Sequence, residues 1–175
     1  MNASGAPKAP DAEQPRLYLG ARIMRHAAGR FLMQHIMPRS VVRQSLLDNV
    51  VDDTIVTETM VDRYWELSRY PGNRRATALR AVVDREHQFG RRLSELTLPT
   101  LILWGAQDPV TLPSNAVTFD EMIPNSRLVI FDDVGHLTME EAPVRTAGVI
   151  DEFLIEILSD APVTAEPEAT SVLAE

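Results

Sequence analysis

Residues 98–110 read LPTLILWGAQDPV, and residues 127–137 read RLVIFDDVGHL. Each stretch contains a short apolar run without polar alternation, which is typical of a strand covered on both faces of a parallel sheet. The first run leads into a turn that carries Asp108, and the second leads into a turn that carries His136. Because ligands of open parallel sheets bind beyond the carboxyl ends of the strands, this acid and this histidine are predicted to meet at one edge.

Two helical patterns accompany the strands. The strands, Thr100–Trp104 and Arg127–Phe131, are separated by a helical pattern over residues 113–122 and followed by another over residues 143–158. This order of strand, helix, strand and helix predicts a parallel βαβα unit with a right-handed crossover, and therefore an α/β fold. The last helix offers a row of apolar side chains for burial, namely Val149, Ile150, Phe153, Leu154, Ile157 and Leu158.

The chain before residue 93 is predicted to be helical. Apolar residues recur with a helical period over residues 17–37, and Pro38 ends that helix. A short second helix is predicted around residues 41–50. A third begins at residue 58 and ends near residue 69, with Thr57 as its N-cap. Its inward face is predicted to consist of Met60, Val61, Tyr64, Trp65 and Leu67. Asn73 is predicted to cap a fourth helix that runs to about Arg91.

Composition divides the chain into four segments. Residues 1–15 are small, polar and proline-rich and are predicted to form a loop, and residues 16–92 form the helical region. Residues 93–158 form the α/β unit, and residues 159–175 are predicted to be a disordered acidic tail. Residues 93–175 carry fifteen acidic side chains against two arginines, which argues against a nucleic-acid partner.

Several further classes of function are excluded by composition. The chain has no cysteine, so disulfides, thiolate metal sites and a cysteine nucleophile are absent. No apolar run approaches the ~20 residues that a membrane span needs, and the first residues lack the order of a signal peptide. We therefore expect a cytoplasmic protein without a membrane span, metal or cofactor.

The pairing of the two turns points to catalysis. Histidine is the usual general base near neutral pH, and a buried carboxylate on its Nδ1–H fixes the tautomer and stabilises the imidazolium. Taken singly, Asp108 before a proline is common in turns, and His136 after a strand is more often an ordinary loop residue. Their placement at equivalent strand ends favours a shared site.

These residues resemble the α/β-hydrolase fold superfamily. The resemblance is carried by residues 98–108, by Gly135-His136, and by residues 141–143 leading into the last helix. The helical region resembles the cap domain of that family, notably at residues 56–65 and 69–74. The resemblance implies that Asp108 is the acid and His136 the base of a catalytic triad. It implies a fold of a helical cap followed by the last two core strands.

The family's nucleophile motif is missing. Members place a serine or aspartate on a G-x-S-x-G elbow before the cap, and this sequence contains no such motif. Ser4 lacks the strand–turn–helix context of an elbow. We therefore expect a truncated C-terminal portion of a hydrolase, inactive alone, whose nucleophile and oxyanion donors lie in other residues. Its first strand would present an unpaired edge to a complementary N-terminal half or to a second copy.

The parent activity implied by the resemblance is hydrolysis of an ester, lactone or related bond in a small-molecule substrate. Candidate substrate-binding residues in the cap are Trp65, Tyr64, Phe31 and Met24, for which packing between helices is the simpler explanation. Two alternatives stay open. One is a non-catalytic subunit that binds a partner through the open sheet edge or the arginine-rich helices. The other is a fragment of an epoxide or haloalkane hydrolase with an aspartate nucleophile.

Overall fold

A computed structural model describes residues 22–23, 26–80 and 90–159. The helical region contains α1 (Ala27–His35), α2 (Arg39–Leu47), α3 (Glu58–Arg69) and α4 (Asn73–Arg80), with 3-10 turns at Asp53–Ile55 and Gly90–Glu95. The second half contains β1 (Thr100–Gly105), α5 (Pro113–Met122), β2 (Ser126–Phe131), α6 (Thr138–Glu141) and α7 (Pro143–Ser159). The predicted N-terminal loop and almost all of the predicted acidic tail lie outside the described residues.

The sheet of the described region has two strands that run parallel. Thr100 pairs with Ser126, and the register continues without a bulge to the pair formed by Gly105 and Phe131. Both strands therefore end at the same edge, where the chain enters the turns that carry Asp108 and His136. The predicted α/β class and parallel βαβα order are confirmed.

Two apolar clusters cover the two faces of the sheet. On one face, Ile102 and Trp104 of β1 pack with α5 through Ala116, Phe119 and Ile123. On the other face, the buried cluster consists of Leu103, Phe131, Val134 and Ala142. Residues 102–105 are buried, as predicted for a strand covered on both faces. The same prediction is wrong for β2, because only Phe131 of that strand is buried.

Helix α7 presents much of its apolar side to solvent. Ile150, Leu154 and Leu158 were predicted to be available for burial, but they are 39%, 43% and 71% exposed. Val144 and Ile155 are exposed on the same helix. An apolar helix surface of this extent is typical of an interface with further structure.

The helical region has its own cluster, formed by Leu46, Val56, Met60 and Val61. The Thr57 hydroxyl oxygen accepts a hydrogen bond from the Met60 amide at 3.2 Å, so the predicted N-cap of α3 is observed. Leu67 was predicted on the inward face of α3 and is 50% exposed, which corrects that assignment. Leu137, which follows His136, packs against this cluster and connects the helical region to the sheet.

The predicted helix over residues 17–37 is interrupted in the structure. The backbone of His26 is extended (φ −96°, ψ 139°), so α1 begins at Ala27 although the apolar period continues across the break. Ile36 is extended as well, because a proline two residues later disfavours further helix. Residues 73–80 of the predicted helix from Asn73 are helical, residues 81–89 lie outside the described residues, and Gly90–Glu95 form a 3-10 turn. Asn73 is the first residue of α4, and its side-chain amide donates to the Leu67 carbonyl at 2.8 Å.

The described ranges contain neither a membrane-spanning helix nor a cluster of metal ligands. No helix there combines the length and apolarity needed to cross a bilayer. No group of three or more His, Asp or Glu side chains is placed to hold a metal ion in that part of the chain.

Candidate active site

The structure brings Asp108 and His136 into direct contact. The Nδ1 atom of His136 lies 2.9 Å from Oδ2 of Asp108. The Asp108 side chain is fully buried, whereas the His136 side chain is 24% exposed. No described residue makes a hydrogen bond to Nε2 of His136, so that nitrogen is available for proton transfer. A buried carboxylate behind a partly exposed imidazole is the arrangement that a histidine base requires.

Thr111 completes the surroundings of the carboxylate. Its amide and the amide of Val110 donate to Oδ1 of Asp108 at 2.9 and 2.7 Å, and its hydroxyl donates to Oδ2 at 2.7 Å. The Thr111 carbonyl in turn accepts the indole N–H of the buried Trp104 at 2.9 Å. Burial alone would raise the pKa of the Asp108 carboxyl, but the hydrogen bonds from His136 and Thr111 outweigh it and hold that pKa below its usual value.

Two glycines allow the turns to approach each other. A Cβ on Gly105 would overlap the carbonyl oxygens of Val134 and Gly135, so only glycine fits at the end of β1. A Cβ on Gly135 would lie 2.8 Å from the Asn49 carbonyl oxygen and 3.0 Å from Oε1 of Glu141. The close contact between the strand end and the histidine turn therefore depends on two missing side chains.

The histidine turn is also bound to the helical region. The His136 amide donates to the Asn49 carbonyl at 2.8 Å. Glu140 of α6 accepts hydrogen bonds from the Arg63 guanidinium (2.7 Å) and the Tyr64 hydroxyl (3.0 Å). Burial and the neighbouring Glu140 carboxylate raise the pKa of Tyr64 to about 12, so its hydroxyl stays protonated and remains a donor.

An apolar cavity of about 290 Å³ lies in the helical region beside this turn. Its lining side chains are all uncharged, and they come from α1 to α4, from the segments before and after α2, and from the residue after His136. They are Met33, Met37, Val41, Val42, Ser45, Leu46, Asn49, Tyr64, Ser68, Thr77 and Leu137. A cavity of this size is at the lower end of the range for small-molecule sites.

Comparison with known proteins decides the family. The family model described as alpha/beta hydrolase fold matches residues 16–143, which is most of the chain. The chain belongs to the alpha/beta hydrolase family. The resemblance to this superfamily is therefore confirmed. We call the helical region the cap, as the resemblance implies.

Curated relatives match part of this alpha/beta hydrolase chain. Lipase 3 of Moraxella sp. (strain TA144) is 33% identical over 72 residues, which are 41% of this chain and 23% of that protein. Monoacylglycerol lipase ABHD6 of Mus musculus is 34% identical over 78 residues, 43% of this chain and 23% of that protein. In each case the matched part is less than a quarter of the relative's length.

Solved structures share the fold. The meta-cleavage product hydrolase of Pseudomonas fluorescens IP01 superposes with a TM-score of 0.66 at 21% identity, over 90% of this chain and 54% of that one. An esterase from Thermogutta terrifontis gives a TM-score of 0.60 at 20% identity, over 88% and 53% of the two chains. The alpha/beta hydrolase chain described here therefore spans about half of each of these structures.

Of the four predicted substrate-binding residues, the structure places one in the cavity lining and two outside it. Tyr64 lines the cavity. Trp65 lies outside the lining, where its indole N–H donates to the Met37 carbonyl at 2.8 Å and the Arg69 guanidinium lies over its ring. Phe31 also lies outside the lining, is 68% exposed and contacts the ring of His35. Met24 lies outside the described residues.

Three residues of the site were missed by the sequence analysis. Thr111 could have been found, because a hydroxyl three residues after an aspartate is a frequent turn partner. Asn49 carries no such signal, since its carbonyl contacts a segment far away in the sequence. Glu141 belongs to residues 141–143, which carry the family resemblance, but the sequence does not indicate that its carboxylate binds the amides of Gly135 and Val51.

The hydrogen bonds on Asp108 predict a pH dependence of stability. Because the pKa of this carboxyl is lower in the folded state, its stabilising contribution is present above the ordinary carboxyl pKa of ~3.9 and is lost as pH falls through the folded pKa. We expect Asp108→Asn to lower the free energy of unfolding at pH 6 by about 1–3 kcal/mol. The difference between the two proteins should shrink below pH ~4. Urea unfolding of both proteins from pH 6 to pH 3 measures it, and a constant difference would contradict the assignment.

Proposed function

We propose that this chain supplies the acid and the base of an ester-hydrolysing catalytic triad. The observation that carries the proposal is the 2.9 Å contact between His136 Nδ1 and the fully buried carboxylate of Asp108, at the end of two parallel strands. The nucleophile and the oxyanion donors come from a segment outside these 175 residues, because the sequence has no G-x-S-x-G elbow.

The roles of the two residues follow from their positions. Asp108 accepts the Nδ1–H of His136 and leaves Nε2 unprotonated and directed outward, where it removes the proton from the nucleophile hydroxyl. The imidazolium that forms is stabilised by the Asp108 carboxylate and returns the proton to the leaving alcohol. In the second half of the cycle, His136 takes a proton from the water that attacks the acyl-enzyme. It then gives that proton to the nucleophile oxygen as the bond to the acyl group breaks and the carboxylic acid is released.

The cavity supports an uncharged substrate. None of its eleven lining residues carries a charge, so a carboxylate or ammonium group would be desolvated there without a partner. Its volume of about 290 Å³ suits an aliphatic acyl group of short or medium length. The names of two curated relatives, Lipase 3 and monoacylglycerol lipase, support ester substrates.

Complementation tests the proposal. The purified chain alone should not hydrolyse p-nitrophenyl butyrate, whereas co-expression with the N-terminal half of a family member that carries the elbow should restore turnover. We call that assembly the complemented enzyme. Turnover by the chain alone that is lost in His136→Ala would contradict the need for an outside nucleophile. Absence of turnover after a stable complex has formed would contradict the hydrolase proposal.

Filling the cavity tests its role as the acyl site. Ser45 lines the cavity on α2, and Ser40 is exposed on the same helix, so the two positions form a matched pair. In the complemented enzyme we expect Ser45→Phe to reduce kcat/KM for the octanoate ester at least about tenfold relative to acetate, since lost acyl contacts are worth 1–3 kcal/mol. Ser40→Phe should leave the ratio unchanged. Equal effects of both variants on this ratio would exclude the cavity as the acyl site.

A non-catalytic interaction subunit remains the second candidate. The observation that favours it is the edge of β1 opposite β2, which is unpaired among the described residues although residues 102–105 are buried. The two candidates predict the same complex through this edge and differ in turnover. A complex that forms equally well with His136→Ala and hydrolyses no ester would favour the interaction subunit.

A further inference from the structure

Glu141 connects the histidine turn to the cap. Its Oε1 accepts the amide of Gly135 at 2.9 Å, and its Oε2 accepts the amide of Val51 at 2.8 Å. Gly135 immediately precedes His136. Val51 belongs to the segment after α2 and lies 90 residues before Glu141. One carboxylate therefore joins two backbone segments that no sequence proximity would keep together.

The neighbouring contacts make this connection specific to the histidine. The His136 amide donates to the Asn49 carbonyl at 2.8 Å, two residues before the amide that Glu141 holds. Gly135 is buried, and a Cβ there would lie 3.0 Å from Oε1 of Glu141. A side chain at this position would therefore crowd the Glu141 carboxylate.

Loss of the carboxylate would act on the turn first. The Gly135 amide would become a buried donor without a partner, and relief of that penalty requires the turn to rotate. Rotation moves the His136 ring, which is held on its other side at Nδ1, by Asp108 at 2.9 Å and by the Thr111 hydroxyl at 3.5 Å. The Val51 amide is exposed and can exchange its carboxylate partner for water at little cost.

We propose that Glu141 is a positioning residue for His136: its carboxylate holds the backbone on both sides of the His136–Asn49 contact and thereby fixes the imidazole against Asp108. Glu141 touches no reacting atom in this role. The catalytic consequence rests on the proposed function of His136, whereas the position of the imidazole can be measured without turnover, so the two can fail separately.

The test is nuclear magnetic resonance of the full chain with ¹⁵N-labelled histidine. His136→Ala identifies the Nδ1–H signal of the ring bonded to Asp108, and its exchange rate with water reports how firmly the ring is held. We expect Glu141→Ala to accelerate that exchange by about tenfold or more, as loss of a charged hydrogen bond predicts. Glu141→Gln keeps one acceptor oxygen and should give an intermediate rate.

Glu140→Ala is the matched control. Glu140 lies in the same short helix and binds Arg63 and Tyr64 instead of the histidine turn. Its variant should keep the wild-type exchange rate although it removes a link between cap and core. Unchanged exchange in Glu141→Ala, or equal acceleration in Glu140→Ala, would overturn the proposal. If Glu141→Ala does not fold, Glu141→Gln decides, and a wild-type rate in that variant would overturn it as well.

Discussion

Gly105→Ala is expected to destabilise the chain by about 3 kcal/mol or more, at the upper end of the cost of overpacking. The added methyl group would overlap the carbonyl oxygens of Val134 and Gly135, which are backbone atoms and cannot move aside by a change of rotamer. The end of β1 would have to separate from the histidine turn. We expect the Nδ1–H signal of His136 to be lost together with stability.

Gly148→Ala provides the control for that replacement. Gly148 lies within α7, and a Cβ there would meet no atom within 4 Å. Its replacement should leave stability unchanged or raise it by up to about 1 kcal/mol, since alanine is the better helix former. Urea unfolding of both variants measures the difference. Equal stabilities would show that the two turns have room to separate.

Removal of the imidazole should give the largest effect on activity. In the complemented enzyme, His136→Ala is expected to reduce kcat by a factor of about 10⁴ to 10⁶, because the nucleophile loses its base and the leaving group its acid. Asp108→Asn should reduce kcat by a factor of about 10⁴, since an amide NH2 group in place of Oδ2 favours the wrong tautomer of the ring. KM should change little in both variants, because neither residue lines the acyl cavity.

His35→Ala is the control for a general effect of losing a histidine. His35 is exposed on α1 and contacts Phe31. Steady-state hydrolysis of p-nitrophenyl esters by the three variants gives kcat and KM separately. A double variant, His136→Ala with Asp108→Asn, should be no slower than His136→Ala alone, as expected for residues that act as a unit. Additive losses would assign Asp108 a role independent of the ring.

The strand ends were the part of the fold that the sequence predicted best. Short unbroken apolar runs are typical of strands in parallel sheets, and parallel pairing puts both of their turns at one edge. The juxtaposition of Asp108 and His136 follows from that topology, and their catalytic role stays a prediction. The N-cap role of Thr57 was equally predictable from the sequence, because an N-cap depends on residues within three positions of it.

The remaining features depend on contacts that no local pattern contains. The break before α1 lies at His26, where neither proline nor glycine marks it and the apolar period continues. The exposure of Phe31 and Leu67 depends on which neighbours reach α1 and α3, which periodicity does not specify. Residues 141–143 carry the family resemblance, but the link that Glu141 makes to the helical region could not be found from the sequence, because its partner Val51 lies 90 residues away.

The two tryptophans of the chain occupy different halves of the molecule. Trp104 is fully buried in β1 and donates to the Thr111 carbonyl beside Asp108, whereas Trp65 is half-buried in α3 under the Arg69 guanidinium. A buried indole emits at shorter wavelength than a partly exposed one, so intrinsic fluorescence separates events in the sheet from events in the cap. Trp65→Phe would leave Trp104, next to the acid turn, as the one tryptophan of this chain.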